Sequence, residues 1–436
     1  MMKKNRTIYF LLALVCLGLQ SCLFQEEDYF DDSSANRATA DVKRCSELLE
    51  AVPNGWVMEY YVGKDYSLGG ITLLCKFDGQ RVTMASQIAG ADETVSSLYS
   101  VKSEQATMLS FDTYNYLVHY FGQPQGSMAD DPNGTLGGDY EFVISDATAD
   151  RIELKGKKYG NRIVMKAFSA DQTWKQYLTR IKKVEDDAFF YEYDLRMDGL
   201  YTGQMLRSNY TFIVTYYDEV GKVHQKTVSF MFTTDGMRFH EPVTIDGQTM
   251  QNFVWKNEEI SFVCTDEGAT GVKMKGIYID GYQSYDYYPG TYLMDFYRLN
   301  GATNQLEVAS QEIQLVKDED GKSYWLKGLE YDILVTYDKP RGGLSILPQF
   351  LKKVQGGYVY LAMWDLMNDY VLRSSAIGLI SYPTTDGIYL VDNGVWMGEI
   401  SGFIFGVYDS QDEEASFMGY TDAVAAIRLV KKTIEE

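Results

Sequence analysis

Apolar positions along the chain recur at two spacings. Within residues 34–51, Val42, Cys45, Leu48 and Leu49 fall three and four apart, the spacing of one helix face. Ser33 or Ser34 stands ready to cap this helix, and Pro53-Asn54-Gly55 stops it. Residues 171–186 repeat the pattern with Trp174, Tyr177, Leu178, Ile181 and Val184, and place Lys182 and Lys183 in the last turn, where cations suit the helix dipole. Elsewhere the period is two. Residues 56–61, 140–145 and 151–154 read as short strands. Residues 71–77 and 81–85 flank Asp78-Gly79-Gln80 as a hairpin. Further hairpins are expected over 210–232, 312–326 and 331–347, and strands over 399–408 and 423–430 close the chain. The 35 Tyr and 21 Phe favour strands. The expected class is mainly β with a few helices: two or three antiparallel sandwich or barrel-like modules, partly duplicated.

Two echoes support duplication. Residues 143–156 (VISDATADRIELKG) match 263–276 (VCTDEGATGVKMKG) at an offset of 120, and 111–119 (FDTYNYLVH) resembles 232–240 (FTTDGMRFH) at an offset of 121. The chain therefore divides into a helix plus β module over 34–186, a second β module over 187–289 and a third over 290–436.

The amino terminus changes the picture. Lys3, Lys4 and Arg6 precede an apolar run of 13 residues, 7–19. That run is too short to span a bilayer, which takes ~20 residues, but fits the core of a secretory signal. Leu19-Gln20-Ser21-Cys22 resembles a bacterial lipobox, which implies cleavage before Cys22 and acylation there, with residues 1–21 removed. Glu26, Glu27, Asp28, Asp31 and Asp32 follow, an acidic tether over 22–33 that resembles a surface-export signal. The expected location is the outer membrane, lipid-anchored and facing outward. Removal of residues 1–21 takes three cations and moves the formal charge from −21 to −24, which opposes nucleic-acid binding. Cys45, Cys75 and Cys264 remain, apolar in context, and are expected as small buried hydrophobes.

The helix before Asn54-Gly55-Trp56 is followed by Phe111-Asp112-Thr113-Tyr114-Asn115, Gly138-Asp139-Tyr140-Glu141-Phe142 and Leu154-Lys155-Gly156-Lys157-Lys158. This series resembles a family of Bacteroidetes lipoproteins, the domain-of-unknown-function family numbered 4302, most clearly over residues 28–185. The resemblance implies a place beside surface nutrient-uptake systems, each resembling the starch-utilisation pair of a transporter and its lid lipoprotein. It implies no activity.

Motifs for chemistry are sparse. His119, His224 and His240 form no His-Glu-x-x-His, the cysteines no C-x-x-C, and no nucleophile elbow or phosphate loop occurs. His119 and His240 fall at matching positions of the second echo. Neither metal nor cofactor is expected. The acidic stretches 130–134 and 318–321 read as solvated turns, since neither follows the calcium-loop pattern. A glycosidase needs two carboxyls ~5–9 Å apart, which 61 acids cannot nominate. Asp365 and Glu399, close to Trp364 and Trp396, read as rim acids. The strongest binding signal is residues 278–297 (YIDGYQSYDYYPGTYLMDFY). In that stretch Tyr282, Tyr285, Asp286, Tyr287 and Tyr288 are the candidate ligand-binding residues, rings able to stack on sugars or peptides if they do not instead pack between modules. The leading expectation is a non-catalytic lipoprotein that binds glycan or peptide or supports an uptake complex. The alternatives are a lipid-anchored hydrolase using acids and a structural adhesion module.

Overall fold

The computed structural model describes residues 33–123, 135–218, 220–412 and 414–432. Cys22, the acids 26–32 and the turn 130–134 lie outside them. Helix α1 (Ser34–Glu50) begins where Ser33 Oγ accepts the Asn36 amide at 3.2 Å. Its stripe buries Cys45 and Leu49 against the first β module.

That module is a closed eight-stranded antiparallel barrel. Its strands are β1 (Trp56–Val62), β2 (Gly69–Asp78), β3 (Arg81–Ser86), β4 (Val95–Ser103), β5 (Thr107–Phe111), β6 (Glu141–Ala147), β7 (Arg151–Gly156) and β8 (Arg162–Ala167). A one-turn helix, α2 (Tyr116–His119), follows β5. Register sets the inside: Trp56 pairs with Cys75 and Ala167, and Met58 with Leu73 and Met165. Trp56, Met58 and Tyr60 thus enter one core with Leu73, Cys75 and Met165. Each large apolar side chain there contributes roughly 1.5–3 kcal/mol over exposure. The Trp56 indole N–H donates to Leu49 O at 2.9 Å, tying α1 to β1.

Helix α3 (Trp174–Asp187) packs Leu178 with Leu74, Ala85 and Phe168 on the barrel's outer face. It ends at Asp187, one residue past the expected 186, and its last turn holds neither Lys182 nor Lys183; the Lys182 ammonium instead donates to Gln87 O and Ala89 O at 2.9 and 3.1 Å.

A second closed barrel comprises β9 (Glu192–Met197), β10 (Leu200–Ser208), β11 (Thr211–Tyr217), β12 (Val223–Phe232), β13 (Gly236–Ile245), β14 (Gln248–Lys256), β15 (Ser261–Cys264) and β16 (Val272–Ile277), with β16 paired back to β9. The first strands of the two barrels begin at Trp56 and Glu192, 136 residues apart. The 120-residue echo therefore falls on unlike hairpins, β6–β7 and β15–β16. The second echo fails as well, because His119 ends a helical turn while His240 lies on β13.

The third module contains β17 (Gly290–Asn300), β18 (Gln305–Lys317), β19 (Ser323–Lys327), β20 (Ile333–Asp338), β21 (Gly343–Ile346), β22 (Gln349–Val354), β23 (Gly357–Asp365), β24 (Tyr370–Leu372), β25 (Leu379–Thr384), β26 (Gly387–Asp392), β27 (Gly402–Tyr408) and β28 (Phe417–Lys431). Eight of these close a ring, β17-β18-β19-β20-β21-β25-β26-β28, through the β28–β17 pairing. The long β28 bulges at Ala426 (φ 50°). Its leading half pairs with β27, from which β23, β22 and β24 extend. Three barrel-like antiparallel sheets of eight strands thus carry the chain, the fold class expected.

The chain forms two compact units. Of the described residues, one unit gathers those up to Val184 with Asn209–Thr211 and Thr227–Val243; the other holds Glu185–Ser208, Phe212–Lys226 and those from Thr244 on. Inside the first unit Glu59 is mostly buried, with Lys166 at 2.7 Å and the Arg238 guanidinium as its second partner. Burial alone would raise its pKa. Hydrogen bonding and charge from Arg238, then Lys166, outweigh that and hold the carboxyl below its ordinary range. His240 sits between the rings of Tyr61 and Tyr66, at 4.2 and 4.0 Å, and burial lowers its pKa.

Candidate binding surface

The tyrosine-rich stretch of the third module is mostly a plug. From Gly290 onward it is strand, not loop, so Tyr292 points into the core. Tyr288 is 0% exposed and donates its hydroxyl to Gly342 O at 2.8 Å. Tyr292 donates to Tyr288 O at 2.7 Å. Tyr285 is half-buried, donates to Ser323 O at 2.8 Å and stacks on Tyr324. Tyr282 is half-buried against Phe189, with its hydroxyl 3.1 Å from that of Tyr337. Two of the five face solvent. Asp286 pairs with Lys317, and Tyr287, 39% exposed, lies under the Lys431 ammonium. These residues do not form one exposed platform, because the barrel backbone takes up the hydroxyls of Tyr285 and Tyr288.

A different aromatic edge stands nearer to solvent. Strand β23 ends at Asp365, the turn 366–369 follows with Asp369 in the left-handed region (φ 57°), and β24 returns Tyr370 directly opposite Asp365. The loop after β26 then brings Trp396 across. Asp365 is fully buried. Its carboxylate accepts the Trp396 indole N–H and the Asn368 side-chain amide, each at 2.9 Å, and the Asn368 backbone N–H at 3.1 Å. Gly398 makes room: a Cβ there would lie 2.1 Å from Asp365 Oδ2 and 2.7 Å from Trp396 Nε1. The Tyr370 ring meets Trp396 edge-on at 5.7 Å. Around this pair Met367 is 81% and Met397 96% exposed, and Tyr370, Val395 and Glu399 are exposed as well. Trp364, by contrast, is core.

This geometry separates two roles. The hydrogen bond from Asn368 leads the effects that lower the Asp365 pKa, so the acid stays ionised and committed to its donors. It is an anchor, not the rim acid its place in the sequence indicated, and it lacks the raised pKa of a general acid. Glu399 is the exposed acid. What the anchor achieves is a fixed indole, held through its only donor and half-buried against the third module's core, with Tyr370 as the exposed ring beside it.

Other chemistry is quiet. Among the described residues no group of three His, Cys, Asp or Glu side chains is placed to hold a metal ion. Asp320 in the 318–321 turn accepts the Lys322 and Ser323 amides at 2.7 and 2.9 Å, so the turn uses its own carboxylate. His224 is held by Asp218 at 2.9 Å and stacked on Tyr216. Cys45, Cys75 and Cys264 are free and buried; burial pushes the Cys264 thiol up to about 11, far from a reactive thiolate. No described helix is long and apolar enough to cross a membrane. Asp365 and Glu399 were legible only as acids with aromatic sequence neighbours, Trp364 and Trp396; the Asp365–Trp396 bond, Tyr370 and Gly398 carried no signal, since their roles exist only after β23 and the 393–401 loop meet.

Comparison with known proteins gives families without activities. The family model for the domain of unknown function DUF4302 matches residues 26–257. A second model, DUF4987, also a domain of unknown function, matches 265–404, which includes Asp365, Tyr370 and Trp396. No curated protein matches. A solved protein of unknown function from the DUF3598 family of Nostoc punctiforme is 8% identical over 57% of this chain and 99% of that one, at a TM-score of 0.15. Intact Ap-TbpB, with its N and C lobes, is 11% identical over 84% of this chain and 67% of that one, also at 0.15. Scores this low carry no structural argument.

Proposed function

Because the chain belongs to the DUF4302 family of unknown function, which takes in more than half of it, we propose a role in binding rather than in chemistry. The protein is a lipid-anchored lipoprotein of the outer membrane that faces outward and holds a glycan or peptide unaltered for an uptake system. Cys22 carries the lipid, residues 1–21 are the signal, and the acids that follow form the tether. Bacteroidetes origin and partnership with a transporter and its lid lipoprotein rest on the sequence resemblance. The observation that carries the binding role is the Trp396–Tyr370 edge, its indole fixed by Asp365. An immobilised ring loses little freedom when a sugar or peptide face stacks on it. Asp365, spent on its hydrogen bonds, does not serve the hydrolase alternative.

The test is a glycan and peptide array on the full chain, with product analysis of each ligand retained. Saturable binding of intact ligand supports the proposal. Turnover abolished by one acid substitution contradicts it in favour of a hydrolase, and capture of a neighbouring surface protein without nutrient binding contradicts it in favour of adhesion.

A further inference from the structure

The first compact unit carries a cleft, walled by the first barrel and the β10–β11 turn, that the aromatic edge does not explain. Its volume is about 530 Å3, within the ~300–1,000 Å3 range of small-ligand sites. Val62 on β1 and Ile71 on β2 are buried at its floor, Leu68 and Leu136 flank it, and Tyr116 and Tyr120 descend from the α2 turn. All of its lining lies within one compact unit. In a chain with 61 acidic and 40 basic side chains, the lining contains none of either.

The walls are held in place. Asn115 is 1% exposed; its side chain accepts the Leu117 amide at 3.1 Å and donates to Ser97 at 3.3 Å, which fixes the turn bearing Tyr116. Tyr116 gives its hydroxyl to Glu93. Gly69 (φ 72°) lies so close to Tyr210 that a Cβ would sit 2.2 Å from the Tyr210 carbonyl oxygen, which sets that ring as another wall. Ile88, 40% exposed, and Tyr120, 46% exposed, mark an apolar rim.

The lining selects by polarity. An anion or an amine would meet no counter-charge. A sugar carries a hydroxyl on nearly every carbon, and the lining offers only four polar side chains, Asn209 and three tyrosines, each already engaged within the protein; most of the sugar's hydroxyls would be buried unpaired. A hydrocarbon chain meets no such penalty. We propose that this cleft binds an acyl chain, the hydrocarbon part of a fatty acid or lipid, with its polar end at the rim beside Asn209. The site is separate from the Trp396 edge and stands or falls independently of it.

Titration of the full chain with cis-parinaric acid, whose fluorescence rises on burial, tests this. Any uptake by the apolar run near the amino terminus is common to wild type and variants and subtracts. The expected result is one saturable site per chain, weakened at least tenfold in Ile88→Lys with the melting temperature unchanged, retained in Ile88→Leu, and not displaced by maltohexaose. Should Ile88→Lys lower melting, Tyr120→Ser serves as the second variant, with the same tenfold loss expected. Equal affinity in wild type and both polar variants, absence of a saturable site, or displacement by the oligosaccharide overturns the proposal.

Discussion

Replacing neighbouring tyrosines separates core from surface in the 278–297 stretch. Tyr288 is 0% exposed, with ring neighbours Tyr287, Tyr324 and Tyr337 at 5.2, 6.1 and 6.2 Å. Truncation to Ala empties that volume, a loss of about 3–5 kcal/mol for a buried aromatic. Tyr288→Phe keeps the ring and removes the hydroxyl's bond to Gly342 O and its longer one, 3.4 Å, with Ser381 Oγ. Its acceptor, Gly342 O, still receives the Gln283 amide at 3.2 Å, so the loss is about 1 kcal/mol. Tyr287 is partly exposed and sits beneath Lys431, so Tyr287→Ala is expected to cost about 0.5–1 kcal/mol. Urea unfolding followed by intrinsic fluorescence reads all three, and the expected order is Tyr288→Ala well above Tyr288→Phe, with Tyr287→Ala no larger than the latter. If Tyr288→Ala cost no more than Tyr287→Ala, the plug assignment would be refuted and the loop would again be a candidate ligand face.

Three further outcomes are expected. Glu59→Gln should destabilise the chain by about 2 kcal/mol at pH 7, below the ~3–5 of a fully buried pair because Arg238 keeps some solvent. The folded-state pKa of Glu59 is depressed, so its contribution is complete above the unfolded value of ~4.3 and fades as pH falls through the folded one; the gap between wild type and variant should narrow below about pH 4, and a gap constant down to pH 3 would count against the ion network. Gly398→Ala drives a methyl into the Asp365–Trp396 contact, and near-ultraviolet circular dichroism should show loss of the fixed indole signal; an unchanged spectrum contradicts the anchor. Cys22→Ala should move the protein out of the membrane fraction, and retention there would remove the lipid assignment.

Local features of the fold were legible because their causes are local. Asp78-Gly79-Gln80 marks the β2–β3 hairpin from either side, and the Cys45–Leu49 stripe needs only a helical period to show. The strand over 56–61 was legible too, as β1. What escaped depends on partners distant in sequence. Tyr287 and Tyr288 are one residue apart with the same side chain, and only closure of the third barrel decides which is core. Lys182 looked like a last-turn cation, but the last turn begins beyond it, and its acceptors Gln87 O and Ala89 O are more than 90 residues away in sequence. Asp365 and Trp396 are 31 residues apart and meet through a turn and a loop, with Gly398 as the clearance between them. The 120-residue echo reflects hairpins of similar composition, since it pairs β6–β7 of the first barrel with β15–β16 of the second, which hold different places in their barrels.

The binding role is most directly decided by affinity for an array-selected glycan or peptide, measured by calorimetry on the full chain and on Trp396→Ala. Loss of at least tenfold, with ligand recovered intact and the cleft's uptake of cis-parinaric acid unaltered, is the expected result. Unchanged affinity in Trp396→Ala, or ligand recovered as cleavage products, would contradict the central claim.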